Sequence, residues 1–135
     1  MPKPVILPSS LRQRMFEHAL ASPDREVCGL LGGVQQQLTA YYPVRNIAAD
    51  PGNEFLMDPV EQIGVMQQLR TTGGCVAGIF HSHPCSAAQP SALDRRLAYY
   101  PDTIYFILSL LTQPPELKAW YFDGDCFQER SIQAD

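Results

Sequence analysis

The spacing of apolar residues changes period several times along the chain, and each change predicts an element. Val5-Ile6-Leu7 reads as a short extended start. Ser9-Ser10 can cap a helix over residues 11–22, with Leu11, Met15, His18, Ala19 and Leu20 near one face and Pro23-Asp24 ending it. Cys28-Gly29-Leu30-Leu31-Gly32-Gly33-Val34 is apolar and glycine-rich, which predicts a buried strand closely approached by other backbone. Residues 38–44 then alternate, so 26–44 reads as a hairpin turning at Gln35-Gln36-Gln37. A polar, turn-rich stretch covers 46–53 and a short strand 54–57. Asp58-Pro59 is a helix start, and the helix it opens to about Thr71 carries Val60, Ile63, Met66 and Leu69 at core spacing.

Gly73-Gly74 punctuates the chain before its most apolar run, residues 75–80, which has the continuous pattern of a central strand buried on both faces. That run ends in His81-Ser82-His83-Pro84. Ser91-Ala92-Leu93-Asp94 has the spacing of a capping box for a short helix reaching about Tyr100, stopped by Pro101. Residues 103–111 favour a strand, Gln113-Pro114-Pro115 a turn, 117–122 a returning strand and Asp123-Gly124 another turn. Intermixed strands and helices place the chain in the α/β or α+β class around one mixed sheet, with residues 1–135 as one domain.

A chain of 135 residues can bury a core without disulfide staples. Its 45% hydrophobic and 18% charged content is that of a globular protein. A net charge of -4, with ten scattered Lys and Arg, argues against nucleic-acid binding. No apolar run approaches the roughly 18 residues of a membrane span, and no signal peptide is visible at the start, so a cytoplasmic location is expected with no membrane partner. Cys28, Cys75, Cys85 and Cys126 are then expected to be small buried residues or occasional ligands rather than a disulfide framework.

Residues i and i+2 of a strand point the same way, so His81 and His83 would project together from the end of the sheet. Two imidazoles and a carboxylate from Asp94, presented by the first turn of the next helix, make an open zinc set of the catalytic kind. A His-x-His pair also suits a solvated strand end, and Ser91 with Asp94 also suits a plain helix cap. Capping and ligation are compatible at Asp94.

His81, His83, Ser91 and Asp94 spell H-x-H, seven residues, S-x-x-D, and Glu26 opens E-V-C-G-L-L-G. This pairing resembles the JAMM (MPN+) zinc metallopeptidases of the small bacterial type. Residues 46–61, NIAADPGNEFLMDPVE, are similar to the segment between those motifs. The resemblance implies a JAMM/MPN, cytidine deaminase-like α/β domain with a curved mixed sheet flanked by helices. It implies Zn2+ on His81, His83 and Asp94, Glu26 as the proton shuttle, and Ser91 as donor to the oxyanion. The family's substrates range from ubiquitin conjugates to ubiquitin-like sulfur-carrier proteins. Because the turn at residues 111–116 leaves no room for the long insertions that hold ubiquitin chains, the expected substrate is a carrier protein cleaved after its C-terminal Gly-Gly. The loop CSAAQ, residues 85–89, departs from the pattern by placing Cys85 beside the ligands.

Other readings remain open on the sequence. Zinc deaminases use H-x-E followed by P-C-x-x-C, and only the HPC of residues 83–85 echoes that. A structural zinc on Cys75, His81, His83 and Cys85 matches no finger or ribbon spacing. A catalytically silent MPN-type interaction scaffold and a hydrolase of small amides are the functional alternatives. His18 reads as a surface or core-edge residue, and Trp120 and Tyr121 as core or sheet-face residues.

Overall fold

In the computed structural model, which describes residues 3–98 and 100–135, eleven elements follow one another. They are β1 (Val5–Leu7), α1 (Ser9–Ala21), β2 (Cys28–Val34), β3 (Gln37–Val44), α2 (Pro59–Thr71), β4 (Cys75–His83), α3 (Ala92–Arg96), β5 (Thr103–Ser109), β6 (Glu116–Phe122), β7 (Phe127–Arg130) and β8 (Ile132–Ala134). Six strands make one mixed sheet in the order β3-β2-β4-β5-β6-β7, in which only β4 and β5 run parallel. The parallel connection from β4 to β5 is the stretch that carries α3 and the Ser91-Asp94 motif. β1 and β8 pair separately, in parallel, and close the two ends of the chain on each other. No helix among the described residues is long and apolar enough to cross a membrane.

Strand alternation divides the core in two. On one face Leu7 and the Leu11, Met15 and Ala19 stripe of α1 pack with Leu31, Tyr41, Phe80, Phe106 and Leu108. On the other, Cys28, Leu30, Met57, Ile79 and Tyr105 form the second cluster, with Val65 of α2 against it. Because Ile79 belongs to this second layer, His81 and His83 two and four residues later face the same side. Cys28 pairs with His81 across the β2–β4 ladder, so Glu26, two residues before Cys28, is also directed to that side.

The glycines of β2 are read differently once the packing is visible. The close approach is mostly by side chains: a Cβ at Gly29 would run into the Tyr41 ring, and one at Gly32 into Leu69 of α2. The hairpin turns through Gln35 and Gln36, both at positive φ (52 and 68°), a tight two-residue turn whose twist suits the flanking strands.

Several expectations are corrected. Ser9 and Ser10 lie inside α1; Pro8 occupies the cap without any side-chain bond, and its carbonyl accepts from Leu11 and Arg12. Leu20 is exposed rather than on the buried face. α2 begins as expected, with Asp58 accepting from Val60 N at 2.9 Å and Pro59 in its first turn. Its apolar stripe is core only toward its C-terminal end, however: Val60 is 79% exposed and Ile63 is exposed, whereas Leu69 is buried and Val65 and Met66 half-buried. The sheet lies under the C-terminal half of this helix, through Leu69 and Gly32, and spacing alone does not identify which turns meet it. Residues 54–57 form only a single bridge, Asn46 to Met57, instead of a strand. α3 is one turn shorter than expected, and β7 and β8 carry no alternation that announces them.

Candidate metal centre and active site

β4 delivers the two histidines with little freedom. His81 and His83 pair with Ile107 and Ser109 of β5 in parallel register, and Ser82 between them is fully buried. The Ser82 hydroxyl accepts from Val27 N at 2.9 Å, and Ser82 N donates to Val27 O at 3.0 Å. That exchange ties the histidine strand to the residue following Glu26. Glu26 itself is held through its main chain, its N–H donating to Pro51 O at 2.7 Å and its carbonyl accepting from Asn46 Nδ2 at 2.8 Å.

Asn46 organises the whole segment before α2. Its amide also donates to Glu54 O at 3.0 Å, and its side-chain oxygen accepts from Ala48 N and Leu56 N. Removing one such buried side chain leaves the carbonyls of Glu26 and Glu54 without this donor. Asn46→Ala is therefore expected to lower unfolding free energy by about 1–3 kcal/mol in urea titrations. No measurable loss would mean that this network is replaced by water.

α3 is placed by its cap. Ser91 Oγ accepts from Asp94 N and Asp94 Oδ2 accepts from Ser91 N, both at 2.9 Å, so the expected capping box is formed. The same Oδ2 lies 3.0 Å from His81 Nε2 and 3.2 Å from His83 Nε2, and the two Nε2 atoms are 3.1 Å apart. One carboxylate oxygen thus caps a helix and faces both imidazoles. The loop after the histidines is pinned by Ser109 Oγ to Ser86 O at 2.6 Å and by Trp120 Nε1 to Ala88 O at 3.0 Å. It returns Ala87 O to His83 Nδ1 at 2.7 Å. Cys85 is exposed on this loop, and all four cysteines are unpaired.

Glu26, His81, His83 and Asp94 each offer one atom to a group in which all lie within 4.8 Å of one another. A tetrahedral zinc with ligands at about 2.0–2.1 Å has edges of about 3.3 Å, which the 3.0–3.2 Å triangle of the two imidazoles and Asp94 matches. Donation from Nδ1 to Ala87 O leaves a lone pair on His83 Nε2, aimed at the other ring nitrogen and at a carboxylate oxygen. Lone pairs converge in this way only around a proton or a cation. The donor set therefore fits a metal ion.

Electrostatics follow from the burial of the group. Burial pushes the Glu26 carboxyl up to about 8; His83 opposes the push, while Asp94 and Glu54 add to it. Glu26 is 5% exposed, and its Oε1 has no hydrogen-bond partner among the described residues. At Asp94 burial also pushes upward, but the two histidines and Ser91 N outweigh it and hold the carboxyl well below the usual range. Burial holds His81 below its ordinary value, against the pull of Asp94. Cys28 is buried under the site with its thiol pushed up to about 12, first by burial and then by the Glu26 charge, so it is an inert packing residue. An apolar pocket of about 250 Å³ opens beside His81 and Asp94, walled by Phe55, Leu56, Met57, Leu93 and Leu97.

The structure brings four of the five sequence-derived site residues into one cluster and places Ser91 at its rim through the cap. Sequence reasoning missed Asn46, Ser82, Phe55 and Trp120. Asn46 opened the polar stretch and Ser82 sat between the two histidines, and those were the signals available.

A mixed sheet whose central strand ends in paired imidazoles, faced by the buried Glu26 and the half-buried Asp94, defines a protein with a group able to bind a metal at the strand end. The chain belongs to the prokaryotic homologues of the JAB domain, a family that matches residues 8–123. It is 36% identical over 128 residues to the desampylase of Haloferax volcanii, covering 93% of this chain and 90% of that one. It is 28% identical over 107 residues to the CysO-cysteine peptidase of Mycobacterium tuberculosis, covering 78% of this chain and 73% of that one. Among solved structures, a Desulfitobacterium hafniense protein determined in solution is similar with a TM-score of 0.84 and 37% identity, covering 96% of this chain and 92% of that one.

Proposed function

We propose that the protein is a zinc peptidase that hydrolyses the amide bond after the C-terminal Gly-Gly of a ubiquitin-like sulfur-carrier protein. The observation that carries this reading is the convergence of the buried Glu26, His81 and His83 with the half-buried Asp94. Residues 1–135 then form one metallopeptidase domain, acting in the cytoplasm. His81, His83 and Asp94 hold the zinc, a Lewis acid that activates water near neutral pH.

Glu26 takes the proton of the attacking water and returns it to the leaving amine. In the metal-free protein burial pushes this carboxyl up to about 8, and a cation held beside it would draw it back down toward the range in which a general base works near neutral pH. The Ser91 hydroxyl accepts from Asp94 N, which leaves its own O–H free to donate to the oxyanion, a contact worth roughly 2.7–4 kcal/mol in other hydrolases. The apolar pocket beside His81 and Asp94 seats the approaching tail. Glycines at its end allow the peptide backbone to come close where a Cβ would collide.

The carrier class is supported by the relatives, among them a desampylase and a peptidase named for a CysO–cysteine bond. A catalytically silent scaffold would gain nothing from a buried carboxyl whose Oε1 has no partner among the described residues, set against a histidine pair. The test is incubation of the zinc-loaded protein with a carrier whose Gly-Gly end bears a cysteine adduct, followed by intact-mass analysis. Release of cysteine from this carrier, and not from one ending in Ala-Ala, is expected. Equal cleavage of both, or of neither, overturns the carrier assignment.

A further inference from the structure

The two histidines of the cluster are oriented by different means. His83 donates from Nδ1 to Ala87 O at 2.7 Å, the outer contact that ordinarily fixes the rotation and tautomer of a metal-binding imidazole. His81 lacks such a tether: the residue is 1% exposed, and its buried Nδ1 has no partner among the described residues. What lies against its ring is Phe55, with centroids 4.4 Å apart and planes inclined by 25°. An imidazole without a hydrogen bond at Nδ1 can swing about its last torsion, which is soft. A flat ring stacked at 4.4 Å stops that swing, because turning away from parallel drives the imidazole edge into the phenyl face.

We propose that Phe55 is a positioning residue of the metal centre: its stacked ring sets the plane of His81, and so the metal affinity, in place of a hydrogen bond to Nδ1. The inference rests on the reading of the cluster as a metal site. Phe55 is suited to this because its segment is rigidly held although it is not a strand. Asn46 bonds Glu54 O on one side of Phe55 and Leu56 N on the other, and Met57 bridges back to Asn46. The ring is thus presented to His81 by the same network that holds the Glu26 main chain. Phe55 also walls the apolar pocket, so one side chain shapes the pocket and orients a ligand.

The test titrates metal-free wild type, Phe55→Leu, Phe55→Tyr and Leu56→Ala with zinc against a chromophoric chelator, and with cobalt(II) read by its visible bands. Leu keeps apolar volume without a flat face, Tyr keeps the face, and Leu56 walls the pocket without stacking on His81. Phe55→Leu is expected to bind zinc about 10–100-fold more weakly and to shift the cobalt bands, as loss of an outer contact does. Phe55→Tyr and Leu56→Ala are expected to match wild type in both readouts. Should Phe55→Leu fail to fold, Phe55→Met enters the same titration. Wild-type affinity and bands in the Leu or Met variant, or equal weakening in Leu56→Ala, overturn the proposal while leaving the metal site standing. A wild-type chain that takes up neither ion overturns both.

Discussion

Glu26→Gln is expected to lower kcat by about 10²–10⁴-fold while zinc content stays at the wild-type level. Gln has the shape of Glu but cannot accept a proton, and the three proposed ligands are untouched. Nothing in the change should move the position, because Glu26 is placed by main-chain bonds to Pro51 and Asn46. The metal-free protein supplies a second readout. With a folded-state pKa raised from 4.5 to about 8, chiefly by burial, Glu26 favours folding when protonated. Its contribution is fully present below about pH 4.5 and is lost as pH rises through about 8. Gln does not titrate, so the stability of the metal-free variant relative to wild type should climb across that window in urea titrations. A variant with full zinc and more than about a tenth of wild-type kcat would remove Glu26 from the proton-shuttle role, since a general base contributes far more than that.

Much of this site could be read from the sequence because its chemistry is local. His81 and His83 are two apart on a strand, and Ser91 and Asp94 three apart at a helix start, so each pair is fixed by one element's geometry. Bringing the pairs together with Glu26 needed the family resemblance, since no spacing rule spans residues 26 to 94. The residues that hold the site rigid were not legible for the same reason. Ser82 reaches Val27, Trp120 reaches Ala88, and Asn46 reaches Glu26, all across long stretches of chain. A serine in a strand or an asparagine in a loop carries no sign of such a partner.

The fold shows a parallel division. Elements with strong punctuation came through: α2 from Asp58-Pro59, β4 from its continuous apolar run, and the β2–β3 hairpin. α2 was misread in its facing, since Val60 and Ile63 sit at core spacing yet only the C-terminal half meets the sheet at Leu69 and Gly32. Helical spacing fixes which residues share a face and leaves open whether anything covers every turn of it. β7 and β8 are short edge elements, and their four and three residues are too few for alternation to register.

Asp94→Asn is expected to weaken zinc binding by more than about 100-fold and to abolish turnover at micromolar zinc. Loss of an outer contact alone costs about 10–100-fold, and Asp94 is proposed as a direct ligand. Asn preserves the helix cap, because its amide oxygen can still accept from Ser91 N and the Ser91 hydroxyl bonds a backbone N–H. The metal-free variant should therefore stay folded with its cap intact, melting below wild type only by the contribution of the charged carboxylate whose pKa the two histidines hold down. Circular dichroism before zinc is added separates ligation from folding. The pH dependence of zinc retention follows from His83. Burial alone would hold it down, yet its bonds to Asp94 and to Ala87 O prevail and raise it above the ordinary 6.5. A proton on its Nε2 competes with zinc, so at limiting zinc the occupancy should decline as pH falls, beginning above 6.5. Removing the Asp94 charge removes one of the groups that raise His83, so the residual binding of the variant should survive to lower pH. Elemental analysis after gel filtration across pH measures both effects. Zinc held as tightly by Asp94→Asn as by wild type would reduce Asp94 to a helix cap and leave the two histidines to bind with a different third donor, of which Glu26 is the candidate within reach.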